Sequence, residues 1–256
     1  MERNELPELT DRERERYARH LVLPSIGESG QRRLKAASVL VVGVGGLGSS
    51  IALYLAGVGV GHIGIVDDDV VSLSNLQRQV LHGTEALDRP KVDSAQARIR
   101  DLNPDIEIAG YRERFNDASA GRIAAGYDLI VDGTDNFETR YVISHACLKL
   151  GIPYIYGAIF RLEGQASVLC TGNGPCYRCL FPEPPPPESV LTGEQAGILG
   201  AVPGTIGTIQ ATEAIKWIVG VGEPLVGRLL IYDASAMRFE EIAVAANPDC
   251  PACGIP

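Results

Sequence analysis

Four of the six cysteines stand in two Cys-x-x-Cys pairs, Cys176-Tyr-Arg-Cys179 and Cys250-Pro-Ala-Cys253. Two such pairs match a tetrahedral Zn²⁺ site, because one short turn can present two thiolates to the same ion. The competing chemistry is a redox dithiol, which would place one pair at a helix start with a lowered thiol pKa. Neither pair has that setting. With four protein ligands the ion has no open position, so it holds the fold rather than reacting. Cys147, inside a predicted helix, and Cys170, at a strand end, read as buried small apolar residues.

A second set of residues surrounds a glycine turn. Gly43, Gly45, Gly46 and Gly48 follow the β-branched run SVLVV, and the helix and strand after them end at Asp67. In such a turn the backbone can approach phosphate closely and the first helix amides face the anion. A carboxylate ending the next strand can accept both ribose hydroxyls. Strand, turn, helix, strand and acidic end in this order predict a nucleotide site. The alternative is a set of glycines that only lets a helix pack tightly on a sheet.

Further along, Asn75, Gln77, Arg78 and Gln79 occupy a polar, aperiodic stretch and are candidate ligand contacts. Lys91 opens a helix behind Pro90, an electrostatically poor place for a merely decorative lysine; a nearby anion would account for it. Asp132 and Asp135 stand at the carboxyl end of a buried strand, where open α/β sheets bind ligands. Asp135 reads either as a plain helix N-cap or as a Mg²⁺ ligand of a phosphate-handling enzyme.

The elements that must position these groups alternate. Residues 11–22 and 29–37 read as charged helices, whose arginines by composition alone belong to a solvated face. Strands are expected at 38–42, before Asp67, at 105–109 and at 127–133, with helices after the glycine turn, from Lys91 to Asn103, at 117–125 and after Asn136. From Ile152 the pattern changes to paired strands, IPYIYGAIF and GQASVLC, joined through Arg161 to Gly164. A proline-rich stretch at 181–198 reads as a mobile loop. A helix at 205–219, after Pro203-Gly204, and the strands RLLIYD and RFEEIAV complete a single domain. The expected fold is a Rossmann-like, doubly wound α/β sheet, mostly parallel, continued by antiparallel strands and a zinc knuckle. Its nucleotide-binding half spans 38–150; residues 151–256 carry the antiparallel strands and the zinc-binding tail.

At 256 residues, 45% hydrophobic and 21% charged, the chain has the composition of a soluble α/β protein. Its formal charge of -9 argues against a sequence-independent nucleic-acid surface. The N-terminus is highly charged and lacks the apolar core of a signal peptide, so a cytoplasmic chain is expected. Ala36 to Val66 has no Asp, Glu, Lys or Arg, but eight glycines cut it into pieces of strand and helix length, against a membrane span.

RYARH, VGVGGLG, SNLQRQ, RPKV, DGTDN, CYRCL and CPAC occur in this order between Arg16 and Cys253. Together they resemble the E1-like activating enzymes of the ThiF, MoeB and HesA family, nearest in type to MoeB. The resemblance implies ATP·Mg²⁺-dependent adenylation of the C-terminal glycine of a ubiquitin-like sulfur carrier of the MoaD/ThiS type, ending in Gly-Gly, with release of pyrophosphate. It gives Asp67 the ribose, Gly43, Gly45, Gly46 and Gly48 the phosphate turn, Asn75, Arg78 and Lys91 the ATP phosphates, and Asp135 the Mg²⁺. It also implies a homodimer in which Arg19 reaches across the twofold interface into the partner's site.

Where some relatives carry a cysteine in the loop after the zinc knuckle, this chain has Gly193. The expectation is an enzyme that stops at the acyl-adenylate, with sulfur delivered by a separate donor protein, and this leans towards the molybdopterin-type enzyme over the thiamine-type. The chain as read ends three residues after Cys253, so no rhodanese-like extension is expected. Three readings compete, one of them a non-catalytic scaffold that keeps the nucleotide site, against which the intact basic set argues. An NAD-dependent oxidoreductase would use the turn and Asp67 equally well but leaves Arg78, Lys91 and Asp135 without a role. Adenylation of a tRNA-borne carboxylate fits poorly with the acidic balance.

Overall fold

Strand β1 (Ser38–Val42) is where the fold divides. Its side chains alternate between two faces, as the pleat requires. Val39 and Val41 enter one apolar cluster, and Leu40 and Val42 enter another. All four are buried, so the strand lies at the centre of a sheet covered on both sides. The computed structural model describes residues 6–172, 174–186 and 193–254.

The chain opens with three helices, α1 (Asp11–Arg16), α2 (Ala18–Leu21) and α3 (Gly27–Ala36). The single helix expected over 11–22 is broken at Tyr17, which is buried and whose hydroxyl accepts from Asn103 Nδ2 at 2.9 Å. After β1 come α4 (Gly46–Gly57), β2 (His62–Val66), α5 (Lys91–Leu102), β3 (Glu107–Tyr111), α6 (Ala120–Ala124), β4 (Leu129–Asp132) and α7 (Phe137–Leu150). β3 starts later than the sequence suggested. Ladder pairing begins at His62 opposite Glu107, while the Asp105 N–H is taken by Asn103 Oδ1.

The second half contributes β5 (Tyr154–Phe160), β6 (Glu163–Leu169), α8 (Tyr177–Leu180), α9 (Gly193–Ala196), α10 (Ala201–Val219), β7 (Arg228–Asp233) and β8 (Arg238–Ala243). α10 starts at Ala201 rather than after Gly204. Pro203 falls in its first turn, where an intrahelical N–H donor is not needed. Within the stretch expected to be a mobile loop, residues 187–192 lie outside the described residues. On either side of them, 181–186 are irregular and 193–196 form a helical turn.

The eight strands lie in the order β3-β2-β1-β4-β5-β6-β7-β8. β1 to β5 run parallel, and β6 to β8 continue antiparallel. The fold is thus a mixed α/β sheet, doubly wound in its first half. α4, α5 and α10 supply Ile51, Val92, Ile99 and Ile206 to one face; α6 and α7 supply Ile123, Ile143 and Cys147 to the other. No described helix is long and apolar enough to cross a membrane.

The chain after β1 turns to β2 on one side, while β4 occupies the other, so a crevice opens at the carboxyl ends of β1 and β4. Its floor is backbone against backbone. Gly43 has φ +86, and a Cβ there would lie 2.8 Å from the Gly133 carbonyl oxygen.

Candidate active site

The crevice at that switch point is a cavity of about 920 Å³. Gly43, Gly45, Gly46, Asp67, Asn75, Arg78, Gln79, Lys91 and Asp135 all line it. These groups are drawn from the ends of three parallel strands, the stretch after β2 and the start of α5. Gly48 and Arg19 are not on its wall. Gly48 packs so closely on the Gly43 carbonyl that a Cβ would overlap it, which brings the start of α4 down onto the turn. Arg19 is exposed on α2, away from the cavity of its own chain.

Each wall residue is held in a definable way. Asp67 Oδ2 accepts the Val44 N–H and Oδ1 the Asp69 N–H, both at 2.9 Å, so its carboxylate is fixed at the end of β2 with lone pairs to spare. Burial pushes its pKa above the ordinary 3.8, against the pull of Lys91 and of the two amides. Lys91 is buried and donates to Asp69 Oδ2 at 2.8 Å. Asn75 Oδ1 accepts the Ser72 N–H at 3.3 Å, and Arg78 Nη1 donates to the Ser74 carbonyl at 3.1 Å, its other guanidinium donors having no partner among the described residues and so able to meet an anion. Gln79 is buried against the turn, and its Oε1 has no hydrogen-bond partner among the described residues. Gln77 is exposed and lies off the wall.

Asp132 and Asp135 separate cleanly. Asp132 is fully buried, accepting from Thr134 N at 2.8 Å, Thr134 Oγ1 at 2.6 Å and Tyr154 OH at 2.5 Å, with Arg140 Nε 3.6 Å away. Its burial raises its pKa in spite of Arg140. Asp135 is exposed on the wall and makes no hydrogen bond or ion pair among the described residues. Asn136, not Asp135, caps α7, its Oδ1 accepting the Thr139 N–H at 2.9 Å. The Asp135 carboxylate is therefore free for a ligand, and an exposed carboxylate oxygen on this wall is the kind of hard donor that Mg²⁺ takes.

Arg140 is a wall residue that local sequence did not single out. It donates to the Thr134 carbonyl at 3.0 Å and its guanidinium lies 5.6 Å from the Phe137 ring centroid. In sequence it is one arginine in an ordinary helix; only its pairing with Asp132 puts it in the wall.

The cysteine pairs meet at α8, which packs on α7 through the Tyr177 N–H to Ser144 Oγ bond. Sγ separations are 3.9 Å for Cys176 and Cys179, 3.6 Å for Cys176 and Cys250, and 3.4 Å for Cys179 and Cys253. Four sulfurs about 2.3 Å from a tetrahedral Zn²⁺ would stand about 3.8 Å apart, so the donor set and its spacing fit that ion. The Asn247 N–H also points at Cys179 Sγ, at 3.4 Å, an outer contact of the kind that steadies a thiolate ligand. Cys147 and Cys170 are buried and stand outside the four-sulfur group, and burial pushes both thiols up, Cys170 to about 12.

Comparison with known proteins gives the same architecture. The solved structure of E. coli MccB with MccA-N7isoASN superposes with a TM-score of 0.84 at 21% identity, over 94% of this chain and 75% of that one, a likeness of fold. The SAMP-activating enzyme E1 of Haloferax volcanii is 50% identical over 240 residues, 94% of this chain and 88% of that protein. The sulfur carrier protein adenylyltransferase of Thermus thermophilus is 46% identical over 250 residues, 96% of this chain and 92% of that protein. The adenylyltransferase and sulfurtransferase MOCS3-1 of Zea mays is 48% identical over 93% of this chain, which spans about half of that protein (51%). The ThiF family matches residues 17–252, and with that span and these identities the chain belongs to the ThiF family.

Proposed function

We propose that this chain adenylates the C-terminal glycine carboxylate of a ubiquitin-like sulfur-carrier protein with ATP, releasing pyrophosphate. The observation that carries this reading is the convergence of Asp67, Arg78, Lys91 and Asp135 on one switch-point cavity beside a glycine turn. The names of the relatives at 46% and 50% identity supply the substrate class.

The reaction needs no protein nucleophile, since the carrier's own carboxylate attacks the α-phosphorus. What it needs is alignment with the leaving pyrophosphate and positive charge where negative charge accumulates. In this reading Asp67 accepts the ribose hydroxyls, and the turn amides meet the phosphates. Asn75, Arg78 and Lys91 hold the phosphate chain, with Lys91 released from Asp69 to do so. Asp135 would hold Mg²⁺, which neutralises phosphate charge when bound. The orphaned Gln79 Oε1 is an acceptor for a nucleotide hydroxyl or amine. Zn²⁺ on the four cysteines would tie the tail to the segment at α8.

Arg19 completes the charge set only from a second copy, and a homodimer is part of the proposal. Exposed Val22 and Leu23, at 74% and 44%, lie beside it and would be covered at such an interface. Gly193 leaves no thiol in the loop, so sulfur comes from a separate donor protein.

The test is ATP–pyrophosphate exchange by the full chain with candidate carriers ending in Gly-Gly and with the same carriers lacking the last glycine. Exchange that depends on the intact tail is expected. Binding of ATP without exchange with any carrier would move the weight to a tRNA-borne carboxylate or to a scaffold.

A further inference from the structure

Val44 lies in the glycine turn between Gly43 and Gly45, with its side chain fully buried. Its peptide groups are gripped from two sides. The Val44 N–H donates to Asp67 Oδ2 at 2.9 Å, and the Val44 carbonyl lies 2.9 Å from His82 Nε2. In a planar trans peptide the carbonyl of one residue and the N–H of the next point in opposite directions. A Val44 carbonyl turned to His82 therefore turns the Gly45 N–H away from His82, to the side on which Gly45 and Gly46 line the cavity. No group among the described residues accepts that N–H.

His82 is itself fixed. It is buried, and its Nδ1 lies 2.9 Å from Ser94 Oγ on α5, three residues beyond Lys91. A carbonyl can only accept, so Nε2 carries the proton, and in the neutral ring Nδ1 accepts from the Ser94 hydroxyl. One imidazole thus ties the glycine turn to the helix that carries the cavity's lysine. Asp67 and Lys91 are the charged groups that face it.

We propose that His82 is a positioning residue for ATP: its Nε2–H holds the Val44 carbonyl so that the Gly45 N–H faces a bound phosphate. The inference rests on reading the cavity as an ATP site. A purely structural histidine would satisfy the same buried carbonyl, and two substitutions separate the roles. The amide of glutamine reaches about as far as Nε2, and that of asparagine about as far as Nδ1. His82→Gln keeps a donor for Val44 and loses Ser94, whereas His82→Asn keeps Ser94 and strands the Val44 carbonyl.

The experiment is calorimetric titration of the full chain and both variants with ATP·Mg²⁺, alongside thermal melts. His82→Gln is expected to keep the ATP Kd within about threefold, and His82→Asn to weaken it about tenfold, the worth of one neutral hydrogen bond, without a matching order in Tm. Affinity in His82→Asn equal to the parent, or losses in both variants that track Tm, overturns the inference. A measurement needing no variant guards against misfolding. In the full chain with ¹⁵N-histidine, His82 is expected as the neutral Nε2–H tautomer at neutral pH. The Nδ1–H tautomer, or a ring titrating like a free histidine, overturns it. Failure of the unaltered chain to bind ATP·Mg²⁺ would instead sink the nucleotide reading, and this inference with it.

Discussion

Lys91 Nζ lies 2.8 Å from Asp69 Oδ2, in an ion pair whose lysine side chain is 7% exposed and whose carboxylate is 69% exposed. The asymmetry matters, because the ammonium is fixed in the cavity wall while its partner is free to swing into water. A phosphate group, more highly charged than a carboxylate, can take the partner's place. Lys91→Ala is expected to lower carrier-dependent ATP–pyrophosphate exchange roughly 100-fold, the usual cost of one transition-state contact. Asp69→Asn removes only an exposed partner and is expected to cost less than about threefold. Equal losses in the two variants would count against a phosphate contact by Lys91.

The position of Arg19, exposed and off its own chain's cavity, makes a mixing experiment informative. Arg19→Ala and Lys91→Ala homodimers are each expected to be nearly inactive. In the proposed dimer, a mixed pair would combine in one cavity the native Lys91 of one subunit with the native Arg19 of the other. Equal mixing with subunit exchange should restore about a quarter of parent activity, as half the dimers are mixed and one of their two sites is whole. No recovery despite exchange of subunits would contradict action across the interface.

The four thiolates predict one Zn²⁺ per chain by metal analysis. Cys179→Ser or Cys253→Ser is expected to cost several kcal/mol of stability, lowering Tm by about 10 °C for a chain of this size. Metal removal by a chelator should produce the same loss in the parent and none in either variant. A metal-free parent with an unchanged melting point would refute the structural zinc.

Asp132 and Arg140 form a buried pair, with side chains 0% and 7% exposed. Removing one member leaves an uncompensated buried charge. Arg140→Met is expected to destabilise the chain by about 3 to 5 kcal/mol in denaturant unfolding. Values under about 1 kcal/mol would mean that the donors of Thr134 and Tyr154 carry the Asp132 carboxylate without help from Arg140.

His82 also gives a pH dependence. Burial lowers its pKa below the ordinary 6.5; Lys91 pushes it further down, and Asp67 and the Val44 carbonyl pull it up. The unfolded chain then takes up this proton more readily than the folded one, so stability is lost as pH falls below about 6.5. Melting curves of the parent should shift down through this range, and those of His82→Gln should shift less by that one proton's worth. Identical slopes would show that the imidazole titrates equally in both states.

What could be read in advance was what is local. The glycine turn, Asp67 at the end of β2, Lys91 at the start of α5 and the cysteine spacing each declare themselves within a few residues, because strand, turn and helix chemistry is set by near neighbours. The parallel half followed by antiparallel hairpins was legible for the same reason. Pro203 misled because a proline is tolerated inside the first turn of a helix as well as before it. The N-cap at Asp135 or Asn136 turned on a one-residue choice that only the hydrogen bond to Thr139 decides. Arg140 and His82 were hidden for a different reason. Their importance lies in partners 8 and 38 positions away in sequence, Asp132 and Val44, and no periodicity encodes such a contact.

The two halves of the cysteine cluster are separated by 74 residues, from Cys176 to Cys250 and from Cys179 to Cys253. On a ribosome adding about 5 to 20 residues per second, the first pair waits roughly 4 to 15 s for the second to be made. For that interval Cys176 and Cys179 form a half-site exposed to oxidants and to thiophilic ions. A metal clamp on these four thiols would therefore close late in biosynthesis, and its fidelity would depend on the reducing power and metal supply around the nascent chain as much as on the finished fold.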